Sequence, residues 1–266
     1  MKVKPKKSLG QNFLIDKNTI KKIIQLNKIK NLNIIEIGSG TGNLTQEIIK
    51  NNPKSLLLIE KDFELCEILK KKIQFKDNIK IVNSDILKIN FEKIIKRDTI
   101  IFGNLPYNIS TQILLKLIKI NTWPPNYLKL ILMFQKEVAK RILAKHDTAE
   151  YGRLSIVSNW RLKIIDHFDV SKNCFFPKPK VNSSVVMFEP KVNNSYKIED
   201  ITNLEKVTQI FFSNRRKMIN KSFNKLFGKN NKIQKTINLN LSNRPSNLKP
   251  EDFYKMTEYY ERGISA

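Results

Sequence analysis

Residues Ile34-Ile-Glu-Ile-Gly-Ser-Gly-Thr-Gly-Asn-Leu-Thr45 decide the fold. A short β-branched run enters a turn with glycine at 38, 40 and 42, and a helical pattern follows. Glycine there lets the backbone turn sharply and approach a ligand closely, where a Cβ would clash. A tight strand-to-helix turn with no ligand also uses glycine, so the meaning depends on what surrounds it. Apolar runs of strand length recur at 55–59, 79–83, 99–103 and 127–134. Between them, Leu65, Ile68, Leu69 and Ile73 form a stripe at helical spacing, as do Ile113, Leu114, Leu117 and Ile118. Strand and helix alternating at this cadence predict an α/β fold, with a parallel sheet covered by helices on both faces.

Two acidic residues sharpen the ligand. Glu60 ends the next strand, 22 residues after Gly38. A carboxylate there can accept both hydroxyls of a ribose, the alternative being an ordinary strand-end charge. Dinucleotide domains and S-adenosylmethionine domains share this much. Asp85, in Asn83-Ser-Asp85 after the third strand, separates them, because an acid there can accept from the cofactor's adenine amine. In isolation Asp85 reads equally well as a helix cap.

The decisive chemistry lies in Gly103-Asn-Leu-Pro-Tyr-Asn-Ile-Ser-Thr111, after the fourth strand. An adenine amine is a poor nucleophile, since its lone pair is delocalised into the ring. Attack on a sulfonium methyl needs two acceptors that hold both N6 hydrogens and turn the lone pair toward the methyl. Asn104 offers a side-chain oxygen and Leu105 a carbonyl, while Pro106 keeps the stretch out of a helix. Tyr107 offers a face on which a flipped base can stack. Catalysis of this kind is positioning and electrostatics, with no metal and no strong base.

Composition agrees with a polyanionic partner. Lys and Arg total 49 against 24 Asp and Glu, a net charge of +25, which attracts nucleic acid and releases its counterions. The abundance of Lys, Asn and Ile also fits compositional bias. The two cysteines, Cys66 and Cys174, stand far apart, which argues against a disulfide framework, a zinc site and secretion. The first residues have no apolar signal region, and no run of about 18 apolar residues follows, so a cytoplasmic chain without a membrane span is expected.

Two more strands are predicted at 162–168 and 185–188, bracketing a Pro-rich loop at 175–181. Beyond Pro190 the pattern is helical at Ile201–Phe212, 218–227 and Pro250–Glu261, with an Asn/Lys-rich loop at 229–243. We therefore expect a domain at 1–192, with a basic N-terminal arm, and a small helical domain at 193–266. Arg215-Arg-Lys217 is read as opening a helix with Ile219, Phe223 and Leu226 on one face and Lys217, Lys221 and Lys225 on the other. The basic face is either solvated or, with Arg215 and Arg216, a surface that docks RNA. His146 and His167 match no catalytic pattern.

Six segments together carry a family resemblance: Ser8-Leu-Gly-Gln-Asn-Phe-Leu14, Glu36-Ile-Gly-Ser-Gly-Thr-Gly42, Gly103-Asn-Leu-Pro-Tyr-Asn-Ile-Ser110, Phe175-Phe-Pro-Lys-Pro-Lys-Val-Asn-Ser183, Arg215-Arg-Lys217 and Arg244-Pro. In that order, over nearly the whole chain, they resemble the ribosomal RNA adenine dimethyltransferases. The resemblance implies a Rossmann-like methyltransferase sheet with S-adenosylmethionine as cofactor. It also implies dimethylation of two adjacent adenines near the 3′ end of small-subunit RNA, within an immature particle and without an obligate protein partner. Asn12 and Leu14 would line the cofactor pocket with Gly38, Gly40, Glu60, Asp85 and Asn104. Phe175 or Phe176 would stack the base opposite Tyr107. Ser39 departs from the family, which often has Pro there, and Phe223 and Phe227 stand where it is usually aliphatic. Two rivals remain. One is the large-subunit adenine methyltransferase of macrolide resistance, which more often has Ile at the position of Leu105 and usually lacks the Phe-Phe-Pro-Lys-Pro-Lys form. The other is a ribosome-assembly or transcription factor that keeps the fold without turnover.

Overall fold

The computed structural model describes residues 4–73, 77–193, 195–229 and 231–263. Its strands are β1 (Phe13–Leu14), β2 (Asn33–Ile37), β3 (Ser55–Glu60), β4 (Ile79–Asn83), β5 (Thr99–Asn104), β6 (Tyr127–Gln135), β7 (Leu162–Val170), β8 (Phe175–Phe176) and β9 (Ser183–Pro190). The helices are α1 (Lys17–Gln25), α2 (Asn43–Lys50), α3 (Phe63–Lys72), α4 (Phe91–Ile94), α5 (Ser110–Ile118), α6 (Lys136–Leu143), α7 (Arg153–Arg161), α8 (Ile201–Phe212), α9 (Asn220–Phe227), α10 (Asn231–Ile237) and α11 (Pro250–Glu261).

Seven strands form one sheet in the order β4-β3-β2-β5-β6-β9-β7. β4, β3, β2, β5 and β6 run parallel, and β9 is antiparallel to β6. Every residue of β2 is buried, Asn33 and Glu36 included, so both faces of the sheet centre are covered. On one face Ile34, Leu56, Leu58, Ile100 and Phe102 pack with Ile20, Ile23 and Ile24 of α1, Leu44 and Ile48 of α2, and Leu69 of α3. Strand order reverses between β2 and β5, and at such a switch point the carboxyl ends of the strands leave a crevice for a ligand. β1 and β8 pair separately, antiparallel, with Phe13 opposite Phe176 and Leu14 opposite Phe175.

The chain folds as two compact units, Met1–Ala139 with Lys163–Pro190, and Lys140–Leu162 with Lys191–Ala266. A single boundary near 192 therefore misses that 140–162, including α7, belongs with the C-terminal helices. The physical reason is local to that unit. Buried Tyr254 of α11 donates its hydroxyl to the Ile156 carbonyl of α7 at 2.8 Å, and Tyr151 meets Phe212 edge-on at 6.1 Å. Phe211 and Phe253, both fully buried, pack edge to face at 5.7 Å and complete its core.

Two helical expectations are corrected. α9 begins at Asn220, so Arg215, Arg216 and Lys217 lie in the exposed turn after α8 and open no helix. The Arg215 guanidinium there donates to the Ala149 carbonyl, and the Asn214 carbonyl accepts from the Lys217 amide at 2.9 Å, closing the turn. The stretch read as a loop from 229 contains α10, whose Ile233 and Ile237 are buried. Among the described residues no helix is long and apolar enough to cross a membrane.

Candidate active site

The crevice at the carboxyl ends of β2, β3, β4 and β5 is lined by most of the residues expected to serve a ligand. Asn12, Leu14, Gly38, Gly40, Glu60, Asp85, Asn104, Leu105, Pro106 and Tyr107 all border it, joined by Glu36 and Ser39. Its floor is the glycine turn. Gly38 has φ +74°, and a Cβ on it would stand 3.2 Å from the Asn104 carbonyl oxygen. Gly40 has φ +55°, and its Cβ would stand 3.0 Å from the Phe13 ring. Side chains are therefore disfavoured by the left-handed conformation and crowded by their neighbours.

Glu60 is buried at the end of β3. Its Oε2 accepts from the Gly40 amide at 2.9 Å and its Oε1 from the Asp62 amide at 3.0 Å. Burial raises its carboxyl above the ordinary range, against the pull of these backbone donors. The Lys61 amide also faces this carboxylate, whose remaining lone pairs can accept a further donor. Glu36, in β2, is more enclosed. Its Oε2 accepts from Thr45 Oγ1 at 2.7 Å, yet burial pushes its carboxyl up to about 8, with nearby Glu60 adding to the effect. Ser39 is 6% exposed, and its hydroxyl finds no hydrogen-bond partner among the described residues.

Asp85 satisfies its helix-cap reading. Its Oδ1 accepts from the Leu87 amide at 3.0 Å and its Oδ2 from Lys61 Nζ at 2.9 Å, and the Lys61 bond above all holds the carboxyl below its usual range. The cap also lines the crevice, so a cap and a ligand contact are compatible at this residue.

The N-terminal arm roofs the crevice, and nothing in its own residues foretold what holds it. Asp62, buried at the start of α3, accepts from Lys6 Nζ and from Gln11 Nε2, each at 2.8 Å, while capping α3 through the Glu64 amide. The Leu14 carbonyl accepts from Asn43 Nδ2 at 2.8 Å. Between these ties, the Asn12 carbonyl accepts from Asn104 Nδ2 at 3.0 Å. That bond turns the Asn104 side-chain oxygen the other way. Among the described residues no hydrogen bond reaches the Leu105 carbonyl, whose lone pairs stay available beside it.

Tyr107 is half-buried, and its hydroxyl shares a 2.6 Å hydrogen bond with Ser183 Oγ at the start of β9. Burial raises the phenol above its ordinary range. Ser183 thus fixes the ring; the sequence offered it only as the last residue of the Phe-Phe-Pro-Lys-Pro-Lys segment. The paired aromatics separate cleanly. Phe175 is 3% exposed and packs in the core with Ile20 and Val185, so it cannot meet a base, whereas Phe176 is 56% exposed. The basic residues Arg215, Arg216, Lys217, Lys221 and Lys225 are exposed in the other unit. Lys221 and Lys225 do share the outer side of α9, opposite buried Phe223 and Leu226. Among the described residues, no group of three His, Cys or acidic side chains could hold a metal.

Comparison with known proteins gives concordant results. Residues 2–262 match the family described as ribosomal RNA adenine dimethylase. A relative from Pelagibacter ubique (strain HTCC1062), a ribosomal RNA small subunit methyltransferase A, is 47% identical over 98% of each chain. The crystal structure of a dimethyladenosine transferase from Plasmodium falciparum is similar at TM-score 0.78 and 27% identity, over 94% of this chain and 98% of that one. A 23S rRNA methyltransferase shares the fold at TM-score 0.69 and 21% identity, over 94% and 99%.

Proposed function

This chain belongs to the ribosomal RNA adenine dimethylase family and uses S-adenosylmethionine, and from that premise we propose that it dimethylates N6 of two adjacent adenosines near the 3′ end of small-subunit RNA. We place the reaction on an immature particle in the cytoplasm, where the subunit assembles.

The crevice suits the cofactor. Glu60 presents two carboxylate oxygens for ribose hydroxyls, the glycine turn admits close approach, and Asp85 stands ready for an adenine amine. Buried Glu36 and Glu60 suit a cationic ligand, and the orphaned Ser39 hydroxyl leaves one donor unspent. When bound, the cofactor supplies an electrophilic methyl on a sulfonium centre.

One observation carries the reading: the Asn104 amide donates to the Asn12 carbonyl, which commits its Oδ1 to accepting. Oδ1 and the Leu105 carbonyl together can take both hydrogens of an adenine amine. Holding them draws the nitrogen toward tetrahedral geometry and aims its lone pair at the methyl donor. Tyr107, its hydroxyl anchored on Ser183, presents a fixed ring for the flipped base, and exposed Phe176 is the aromatic available to cover the other side. Methylation leaves N6 with one hydrogen, so a second transfer relies on a single acceptor and on the same stacking. The proton released from N6 passes to solvent.

The test is incubation with labelled S-adenosylmethionine and immature small-subunit particles, followed by mapping of the modified nucleotides. Dimethyladenosine at two neighbouring positions near the 3′ end is expected. Label in large-subunit RNA, or no transfer at all, would overturn the proposal.

A further inference from the structure

A second cleft opens beside the candidate base pocket. It is lined by Gln135 at the end of β6, Lys136 and Glu137 at the start of α6, Lys172 after β7, and Lys180 and Asn182 before β9. Asn182 binds its walls together. Its carbonyl accepts from the Lys136 amide and its Oδ1 from the Lys172 amide, each at 3.0 Å. Three lysines thus border one depression, against Glu137 as the one carboxylate among the described lining residues. Lys136 is paired with Asp169, whereas among the described residues neither Lys172 nor Lys180 makes an ion pair. An anion held in a cleft that two such lysines border is attracted by both charges.

The position identifies the anion. Asn182 immediately precedes Ser183, whose hydroxyl holds Tyr107, and Gln135 pairs with Ser183 in the sheet. The cleft therefore adjoins the residue that anchors the stacking ring. A base extruded for chemistry carries its own phosphates to the rim of its pocket. Lysine ammonium groups suit such phosphates as compact point charges, without selecting a sequence. We propose that this cleft is a phosphate subsite for the RNA chain, in which Lys172 and Lys180 grip the phosphodiester flanking the target adenosine. The subsite rests on the methyltransferase reading and adds to it the groups that hold the RNA backbone.

The test compares wild type with the Lys172→Gln/Lys180→Gln double variant. Its control is Lys54→Gln/Lys80→Gln, which removes the same charge at exposed positions by the opposite edge of the sheet. KM for small-subunit particles should rise about three- to tenfold in the double variant, with kcat at saturation within about twofold. The slope of log affinity against log salt, measured with single-stranded RNA of the target sequence, should flatten by about 0.7 for each phosphate no longer held. Calorimetric affinity for S-adenosylmethionine should match wild type, as should every property of the control. Neutralising the flanking phosphates as methylphosphonates should weaken wild-type binding equally and add nothing in the double variant. A KM and slope equal to those of wild type or the control would overturn the subsite. Failure of the wild-type protein to methylate small-subunit RNA would instead overturn the methyltransferase reading, while the methylphosphonate comparison would still judge the cleft.

Discussion

Asn104 shows how much of the chemistry rests on one amide. Its nitrogen is spent on the Asn12 carbonyl, so its oxygen is the group that can orient an amine. Asn104→Ala should lower methyl transfer by about 10²–10³ while leaving the fold intact, because one of two oriented acceptors is removed. Near-normal turnover at saturating cofactor and RNA would defeat the proposed geometry. Glu36 makes a prediction about pH. Burial raises its carboxyl from an ordinary 4.5 to about 8, so the folded protein without cofactor keeps a proton that the unfolded chain releases. Between pH 4.5 and about 8 the folded state binds more protons, and stability falls as pH rises through that window. Glu36→Gln, which can keep the Thr45 hydrogen bond, should flatten this dependence; thermal melts from about pH 5 to 8 that slope alike in both proteins would refute it.

Among the elements, the N-terminal arm is held by side chains that its own sequence does not reveal. Asp62 grips Lys6 and Gln11, Asn43 grips the Leu14 carbonyl, and Phe13 lies against Gly40. Asp62→Asn should preserve the cap of α3, since asparagine caps well, while removing the charge that holds Lys6 and presenting a donor to Gln11. We expect faster tryptic cleavage after Lys6 or Lys7, by about tenfold, and weaker S-adenosylmethionine binding by a similar factor. Cleavage at the wild-type rate would mean that pairing of β1 with β8 holds the arm without help. On α9 the helical spacing placed Lys221 and Lys225 correctly on the outer side, but Lys217 precedes the helix, in the turn that follows α8. The Lys221→Gln/Lys225→Gln variant should bind RNA more weakly and flatten the salt slope by about 1–2 units if that side docks RNA. An unaltered slope would make it a solvated surface.

Across the whole molecule, the helical unit is discontinuous in sequence. Ending the chain at 192, where composition changes, would strip α7 of α8 and α11 and expose Ile156, Trp160 and Tyr151, all buried. Each large apolar side chain returned to water costs about 1.5–3 kcal/mol. Such a truncation should aggregate or bind a hydrophobic dye, whereas a monomer that melts like the full chain would show that 140–162 needs no partner. Alternating apolar runs and three glycines, by themselves, determined the parallel sheet, because strand and helix periods are written in local sequence. The same holds for Gly38, Glu60, Asp85 and the Asn104–Tyr107 turn, which follow directly from strand ends and therefore meet at the carboxyl end of the sheet. Only the tertiary structure decided which partners hold them. Asn12 reaches Asn104 across 92 residues, Tyr107 reaches Ser183 across 76, and Asp62 reaches back 56 to Lys6. It also decided that Phe175 is core and Phe176 is free, though the two are adjacent and chemically identical: successive residues of an extended strand point to opposite sides, and the packing of β8 chooses which side is inside.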